Sequence, residues 1–357
     1  MIKLLHAADL HLDSAFSSLS PVLSVQRRQE QRQCLRLLAQ AAQDCDLVLL
    51  AGDLFDSAHV YRDTLDALKE CFAAISAPIF IAPGNHDYLA AGSPYLTEDW
   101  GSNVHIFTES TVRRVHLDAL HCDVYGAAFT APEMPSLPEG FRAEKTDGVN
   151  LMVLHGDLQP NSPYLPLTAA QIAASGLDYL ALGHVHLQQV HRFGSTVCAY
   201  SGCMMGRGFD ECGQKGVLKV ELSENDCRTQ FIPIHSRKYE ILTVAAGDDP
   251  LAAIRAALPP QTADDCYRIL LTGESDAVDV AALERTLRPS FFSVSVRDRT
   301  VPRQSLWAAG DEDTLRGHFL RNLKQRLDHA GTQEEQQRII LAAKLTLALM
   351  DGREVPL

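Results

Sequence analysis

Ten carboxylate, imidazole and amide side chains stand in five short groups within the first 190 residues: Asp9-Leu10-His11, Gly52-Asp53, Gly84-Asn85-His86-Asp87, His155-Gly156-Asp157 and Gly183-His184-Val185-His186. Oxygen and nitrogen donors without a thiolate suit a catalytic Mn²⁺, Fe²⁺ or Zn²⁺ better than a structural zinc cage. Asp9 and His11, one residue apart on an extended chain end, point the same way and could chelate one ion. His184 and His186 share that spacing, and a turn there would let them serve two ions. Glycine adjoins four of the five groups and permits tight turns and close backbone approach. Seven ligands exceed what one catalytic ion with open positions takes; they fit two ions bridged by one carboxylate, roughly 3.5–4 Å apart. Taken singly, a DxH or a GNH is more often a turn than a site, and a lone buried histidine is usually a satisfied core residue. Five such groups in one order are not accounted for by turns.

What positions them is a series of apolar runs. Ile2–Ala8, Leu47–Ala51, Ile79–Ala82, Leu151–Leu154 and Tyr179–Leu182 read as buried strands, and each is followed by one of the five groups. In open α/β sheets, sites form at the carboxyl ends of strands. Helical patterns over Ser24–Asp44 and Tyr61–Ile75 separate the first three runs, which predicts a parallel sheet with covering helices. On the first helix Val25, Leu35, Leu38, Ala39 and Ala42 form the apolar side, with Arg27, Arg28, Arg32 and Arg36 opposite. Val104–Phe107, Val112–Leu117 and Val124–Phe129 are shorter, more polar runs of antiparallel type. Residues 130–148 read as a loop, Leu167–Ser175 as a helix, and Val190–Tyr200 and Gly216–Leu222 as sheet-edge strands. Composition shifts near residue 238. Tyr239–Val244, Leu251–Ala257, Tyr267–Thr272, Ala277–Leu287 and Phe291–Arg297 then read strand, helix, strand, helix, strand. From Leu306 the pattern is helical, with Leu315, Phe319, Leu323 and Leu327 on one stripe and a Thr332/Glu335 capping box before the last helix. The expected domains are 1–237, 238–303 and 304–357.

The 357 residues are 46% hydrophobic and 22% charged, ordinary for a globular protein. No apolar run is long enough for a transmembrane helix, and the N-terminus lacks the long apolar region of a signal peptide. A cytoplasmic protein with no membrane association is therefore expected. The nine cysteines form no CxxC pair and read as reduced thiols, mostly core filler. A net charge of −13 argues against a large non-specific nucleic-acid surface. It leaves room for a nuclease whose ions and local basic face meet the phosphates.

The order DxH, GD, GNHD, HGD and GHVH resembles the calcineurin-like metallophosphoesterase superfamily over residues 1–235 or so. The resemblance implies a four-layer α/β/β/α sandwich carrying two metal ions. It implies that Asp9, His11 and His186 hold one ion and Asn85, His155 and His184 the other, with Asp53 bridging. His86 would not be a ligand but a general acid, or a stabiliser of the leaving oxygen, a role worth about 10²–10⁴-fold. Within the superfamily, HAADLHLDS, LAGDLFD, APGNHD, VLHGD, LALGHVH and the segment YSGCMMGRGFDECGQKG are most similar to SbcD-type DNA-repair exonucleases, in the YhaO-like bacterial branch. That similarity implies an Mn²⁺-dependent DNA exo/endonuclease, with Fe²⁺, Zn²⁺ or Mg²⁺ as other candidates. It implies a small α/β cap forming a DNA cleft with the core, C-terminal helices docking on an SbcC-like coiled-coil ATPase, and a homodimer for which Tyr61–Ala73 is the candidate surface.

Asp56 departs from this pattern, since some relatives place a phosphate-holding histidine there; His59, three residues on, could substitute. Arg207 could contact a phosphate backbone or form a surface salt bridge. Arg27, Arg28, Arg32 and Arg36 read as a DNA-facing stripe or, more simply, as a solvated helix face. Protein Ser/Thr phosphatases carry GDxVDRG where this chain has GDLFDSA; the missing arginine favours a diester over a monoester dianion. Two other functions compete: a phosphodiesterase of nucleotides or other small diesters, and a scaffold binding DNA ends or an ATPase.

Overall fold

The computed structural model describes residues 1–137, 140–144, 148–223, 226–275, 278–301 and 307–352. The chain divides into two units, Met1–Lys238 and Tyr239–Leu357.

Continuous apolar runs have no face to offer water, so they settle inside sheets covered on both sides. In the first unit β1 (Ile2–Ala7), β2 (Leu47–Leu50) and β3 (Ile79–Ile81) are such runs, linked by α1 (Pro21–Ala41) and α2 (Arg62–Ala73). After α3 (Pro94–Thr97), β4 (Val104–Ile106) joins their sheet. It runs parallel to β3, not antiparallel as expected, because the chain crosses back over the sheet before entering it. A second series follows: β5 (Arg113–Leu117), β6 (Cys122–Gly126), β7 (Val149–His155), α4 (Ala169–Ala174), β8 (Tyr179–Gly183), β9 (Gln189–Phe193), β10 (Thr196–Tyr200), β11 (Gly216–Ser223) and β12 (Asp226–Pro233). Two six-stranded sheets result, ordered β12-β11-β1-β2-β3-β4 and β5-β6-β7-β8-β10-β9. The expected single strand over Val190–Tyr200 is a hairpin. Only β9 alternates between exposed and half-buried; β10 is buried throughout, between β8 and β9.

Leu4, Leu49, Phe80 and Leu218 of the first sheet pack with Val124, Leu151, Tyr179 and Ala199 of the second in one core. The outer face of the first sheet takes α1 and α2 through Leu35, Leu38, Leu68 and Phe72. The outer face of the second takes α4 through Ile172, against Met152, Leu154 and Leu180. The unit is thus a four-layer α/β/β/α sandwich. Six of the nine cysteines are buried, in keeping with a packing role.

A histidine of β1 reaches across the apolar inter-sheet layer. His6 is fully buried, its Nδ1 2.9 Å from the Tyr179 hydroxyl and its Nε2 3.2 Å from the Leu182 carbonyl. A carbonyl only accepts, so Nε2 carries the proton and Nδ1 accepts from the tyrosine. Burial pushes this imidazole's pKa down from 6.5 to about 3, against the hydrogen bond to Leu182. Between those values the unfolded chain binds a proton that the native one refuses. The stabilisation is therefore complete above pH 6.5 and is lost as pH falls toward 3. His6→Gln is expected to flatten the fall in urea midpoint between pH 6.5 and 4, removing up to about 1.4 kcal/mol per pH unit. An unchanged slope in metal-free protein would show that His6 does not titrate in this way.

Helix α1 is turned differently from the expectation. Arg27, Gln31, Cys34, Leu35 and Leu38 are its buried stripe, whereas Val25 is 48% exposed. The apolar C-terminal half sets the phase, and Arg27 and Gln31 fall on the same face two turns and one turn earlier. Arg27 NH2 donates to the Gly206 carbonyl at 2.8 Å and Gln31 Nε2 to the His11 carbonyl at 2.8 Å. Arg27 therefore belongs to neither a DNA-facing stripe nor a solvated face. These buried donors hold two loops that carry the site. Arg32 donates to Asp13 and Thr64, while Arg36 is exposed.

In the second unit β13 (Tyr239–Ala245), α5 (Pro250–Ala257), β14 (Cys266–Thr272), α6 (Val280–Leu287) and β15 (Ser293–Asp298) form a three-stranded parallel sheet with two helices packed on it. The same unit contains α7 (Leu315–His329) and α8 (Gln333–Met350), which meet at Leu320, Leu323, Ala343 and Leu347. Leu315, expected on that stripe, is 80% exposed, and Leu320 is buried instead. Thr332 caps α8 by accepting from Glu335 N at 3.2 Å, but the Glu335 carboxylate reaches Gly331 N instead of closing the box. The expected helix start at Ala277, the boundary at 303/304 and the helical start at Leu306 lie outside the described residues. Among the described residues no helix is long and apolar enough to cross a membrane.

Candidate metal centre

The strands deliver their ligands through strained backbone. Asp9 (φ 52°), His11 (φ 43°), Asp53 (φ 51°) and His184 (φ 99°) are all left-handed although none is glycine. Each such residue costs about 1–3 kcal/mol, which persists only where the surroundings over-determine it. Asp9 and His11 are therefore not the extended pair that their spacing suggested. Their loop is zipped to the one after β2: Asp9 N donates to Gly52 O at 3.0 Å, His11 N to Asp53 O at 2.9 Å and Leu12 N to Leu54 O at 2.8 Å. The loops also leave no room for side chains at two glycines. A Cβ at Gly52 would lie 2.5 Å from His155 Nδ1, and one at Gly84 would collide with the Asp53 carboxylate.

Asp87, the last residue of PGNHD, holds this arrangement from below. Its buried carboxylate accepts from Gly84 N (2.7 Å), Leu54 N (2.7 Å), Phe55 N (3.2 Å) and the Tyr95 hydroxyl (2.6 Å). It joins the turn after β3 to the loop after β2, a role its sequence context did not reveal.

Three overlapping groups of donors result: Asp9, His11 and His186; His11, Asp53 and His86; Asp9, Asp53 and His155. Asp53 Oδ2 stands 3.4 Å from His155 Nε2 and 3.7 Å from His11 Nε2. His186 Nε2 is 3.1 Å from His11 Nε2 and 3.8 Å from Asp9. Asn85 Oδ1 lies 2.9 Å from His155 Nε2. The His184 ring is outside the three groups, with Nε2 3.6 Å from Asp157 and its ring 5.3 Å from that of His155; its backbone N–H donates to Asp9 at 3.0 Å. The His86 ring is exposed and meets that of His11 edge-on at 4.9 Å. His59 is exposed and joins none of the groups.

Proton bookkeeping tests whether cations fit here. His155 Nδ1 lies 3.0 Å from the Ala51 carbonyl, so Nδ1 holds the proton. Burial keeps this imidazole neutral, its pKa lowered to about 4. Its Nε2 then offers only a lone pair, yet faces the oxygens of Asn85 and Asp53. His11 Nδ1 donates to Asp56 at 3.1 Å and His186 Nδ1 to Glu211 at 2.7 Å, which leaves the two Nε2 atoms facing each other across 3.1 Å. Acceptors converge on acceptors, and positive charge resolves the conflict. Asp9 registers the same demand: burial, with Asp53 adding to it, raises its pKa to about 7 against the pull of His186. Burial pulls the His186 pKa down, but the Glu211 hydrogen bond and the Asp9 charge lift it above the ordinary value. The donor set fits divalent cations.

The segment after β10 supplies partners that the motifs missed. Glu211, 4% exposed, and Asp56 back the two histidines, and Arg207 joins both carboxylates, at 2.8 and 2.9 Å. Burial would raise the pKa of Asp56 and Glu211, but their hydrogen bonds to His11, His186 and Arg207 hold both below the carboxylate range. Asp56, which on sequence would repel a phosphate, is paired, and the Arg207 hydrogen bonds go to carboxylates. An acidic residue in the glycine-bearing loop GRGFDE was the only available signal for Glu211.

Carboxylates, imidazoles and an amide gathered at the strand ends of a four-layer sandwich define a metal-dependent hydrolase site. Residues 2–188, just over half of the chain, match the calcineurin-like phosphoesterases, and the chain belongs to that family of divalent-metal-dependent phosphoesterases. It is 29% identical over 264 residues to an uncharacterized metallophosphoesterase, YhaO, of Bacillus subtilis (strain 168), covering 67% of this chain and 62% of that relative's length. Among solved structures, an archaeal phosphodiesterase is similar at 14% identity and a TM-score of 0.36, over 65% of this chain and all of that one. A conserved uncharacterized protein, predicted phosphoesterase, from Streptococcus pneumoniae TIGR4 is similar at 12% identity and a TM-score of 0.35, over 65% of this chain and 89% of that one.

Proposed function

We propose that the chain is a cytoplasmic, Mn²⁺-dependent phosphodiesterase that cuts DNA, in partnership with an SbcC-like coiled-coil ATPase. One observation carries the metal-dependent part: the Nε2 atom of His155, its proton held on Nδ1 by the Ala51 carbonyl, turns a lone pair toward the Asp53 carboxylate at 3.4 Å, beside Asn85 Oδ1 at 2.9 Å. Bound divalent ions would supply Lewis acidity and an activated water. Asp9, His11 and His186 would hold one ion and Asn85 and His155 the other, with Asp53 between them and His184 completing the second set. Donors of this kind, without thiolate, suit Mn²⁺. His86 Nδ1 donates to the Asp56 carbonyl at 3.1 Å, which leaves Nε2 of an exposed ring for the leaving oxygen: doubly protonated, the ring would give that oxygen a proton from Nε2 or stabilise its charge. GDLFDSA, which lacks a dianion-gripping arginine, supports a diester. The likeness of the motifs to SbcD-type exonucleases supports DNA. The exposed Leu315, Leu341, Leu349 and Met350 on α7 and α8 support a docking role for those helices. The net charge of −13 favours a second reading, small nucleotide diesters, because it repels an extended polyanion.

The test is cleavage of end-labelled single- and double-stranded DNA and of bis-p-nitrophenyl phosphate, with Mn²⁺, Mg²⁺ or EDTA. Mn²⁺-dependent cutting of DNA is expected, reduced about 10²–10⁴-fold in His86→Ala. Turnover of the small diester with DNA untouched, even with the ATPase present, would move the substrate to small diesters. No turnover of either with ions bound would refute the enzyme reading.

A further inference from the structure

The two halves of the centre are supported by different means. On one side the His155 orientation is set by a backbone carbonyl, Ala51 O, at the carboxyl end of the central strand β2. On the other side the orientations of His11 and His186 depend on two side chains, Asp56 and Glu211, carried by separate loops. Two like charges brought this close to one site repel, and neither is anchored by the sheet. Arg207 is what joins them. Its NH1 donates to Asp56 Oδ1 at 2.9 Å, and its NH2 and Nε donate to Glu211 Oε1 at 2.8 and 3.2 Å. Its backbone N–H donates to the other oxygen of Glu211 at 2.8 Å. NH2 also lies 3.2 Å from His186 Nδ1, so the guanidinium rests against the imidazole whose proton Glu211 takes. A planar fork reaches two carboxylates at once, which a single ammonium cannot.

We propose that Arg207 is the positioning residue for one half of the centre: by bridging Asp56 and Glu211 it holds His11 and His186 with both Nε2 atoms facing the ion. This rests on the metal-centre reading above. The consequence is asymmetric. Loss of Arg207 weakens the ion held by His11 and His186 and spares the one beside His155 and Asn85. Partners standing behind a ligand are worth about 10–100-fold in metal affinity.

The experiment uses the full chain, stripped with EDTA, as wild type and as Arg207→Met, Arg207→Lys and Glu211→Gln, with Arg228→Met as a distant control. Mn²⁺ titration calorimetry and metal content after desalting count the ions. Long-range ¹H–¹⁵N spectra of histidine-labelled, metal-free protein report which ring nitrogen is protonated. Two ions are expected in wild type, with one of them weakened about 10–100-fold in Arg207→Met and less in Arg207→Lys. The His11 and His186 ring signals should shift from the Nδ1–H pattern while that of His155 stays. Equal loss of both ions, or two ions held as in wild type, overturns the proposal. Should wild type bind no ion, the metal-centre reading falls, while the ring spectra still decide whether Arg207 sets the two imidazoles. If Arg207→Met does not fold, Arg207→Lys carries the same comparison, since a single ammonium cannot reach both carboxylates as the fork does.

Discussion

Asp53→Asn is expected to lose metal-dependent turnover of bis-p-nitrophenyl phosphate by more than about 100-fold, beyond what loss of a supporting residue costs. The reason is its position. Asp53 takes part in two of the three donor groups, and its Oδ2 faces both His155 at 3.4 Å and His11 at 3.7 Å. Its Oδ1 accepts from His86 N at 2.9 Å, so the carboxylate is already oriented before any ion arrives. Asparagine keeps the size and can keep the His86 bond, but it removes the charge that two cations would share. The metal-free variant should melt no lower than wild type. The Asp53 charge helps to raise the Asp9 pKa to about 7, so removing it relieves a like-charge conflict in the empty centre. Activity and stability then move in opposite directions, as expected where a site is strained for function. Parallel measurements of kcat in Mn²⁺ and of the metal-free melting temperature decide it. Wild-type turnover by Asp53→Asn would remove this carboxylate from the centre.

Asp87→Ala is expected to give the largest loss of stability of any single change near the site, about 3 kcal/mol or more. The carboxylate is 4% exposed and receives four hydrogen bonds. Alanine leaves Gly84 N, Leu54 N, Phe55 N and the Tyr95 hydroxyl without their acceptor in a dry environment, at about 1–3 kcal/mol for each donor left unpaired. Entering water could recover part of that, so the sum is smaller than four full penalties. Burial and the charge of Asp53 raise the Asp87 pKa, which makes the substitution less costly than the bond count suggests but does not reverse its sign. With about 2–4 °C per kcal/mol for a unit of this size, the melting temperature should fall by 6 °C or more. The turn carrying Asn85 and His86 would loosen with it, and activity should fall even at temperatures where the protein stays folded. A melting temperature within 2 °C of wild type would show that these donors find other partners.

Much of the first unit was legible because it follows from local pattern. Apolar runs four to seven residues long became strands, and the amide, imidazole and carboxylate groups after them came together at one edge, since parallel strands end on the same side of a sheet. Errors arose where neighbours decided. Val104–Ile106 is polar and short, which suggests a marginal antiparallel strand, yet pairing with β3 makes it parallel. Arg27 has the composition of a surface residue and is buried because α1 is phased by Leu35 and Leu38, and because the Gly206 carbonyl waits for a donor. Leu315 lies on the expected stripe of α7, yet the contact with α8 falls on Leu320 and Leu323.

The same division holds within the site. The sequence by itself determined which kinds of donor follow each strand, and hence the chemistry available: hard oxygen and imidazole ligands, no thiolate, and a glycine beside four of the five groups. Only the tertiary structure decided which ring nitrogen faces inward. That choice depends on Asp56 for His11, on Glu211 for His186 and on a backbone carbonyl for His155, partners 45, 25 and 104 residues away. It also decided that Arg207 bridges two carboxylates 151 and 4 residues from it, and that Asp87 serves the backbone, not an ion. The physical reason is the range of the forces. Strand formation and donor type are properties of a few adjacent residues, while the proton on an imidazole is set by whichever acceptor the folded chain places within about 3 Å of it.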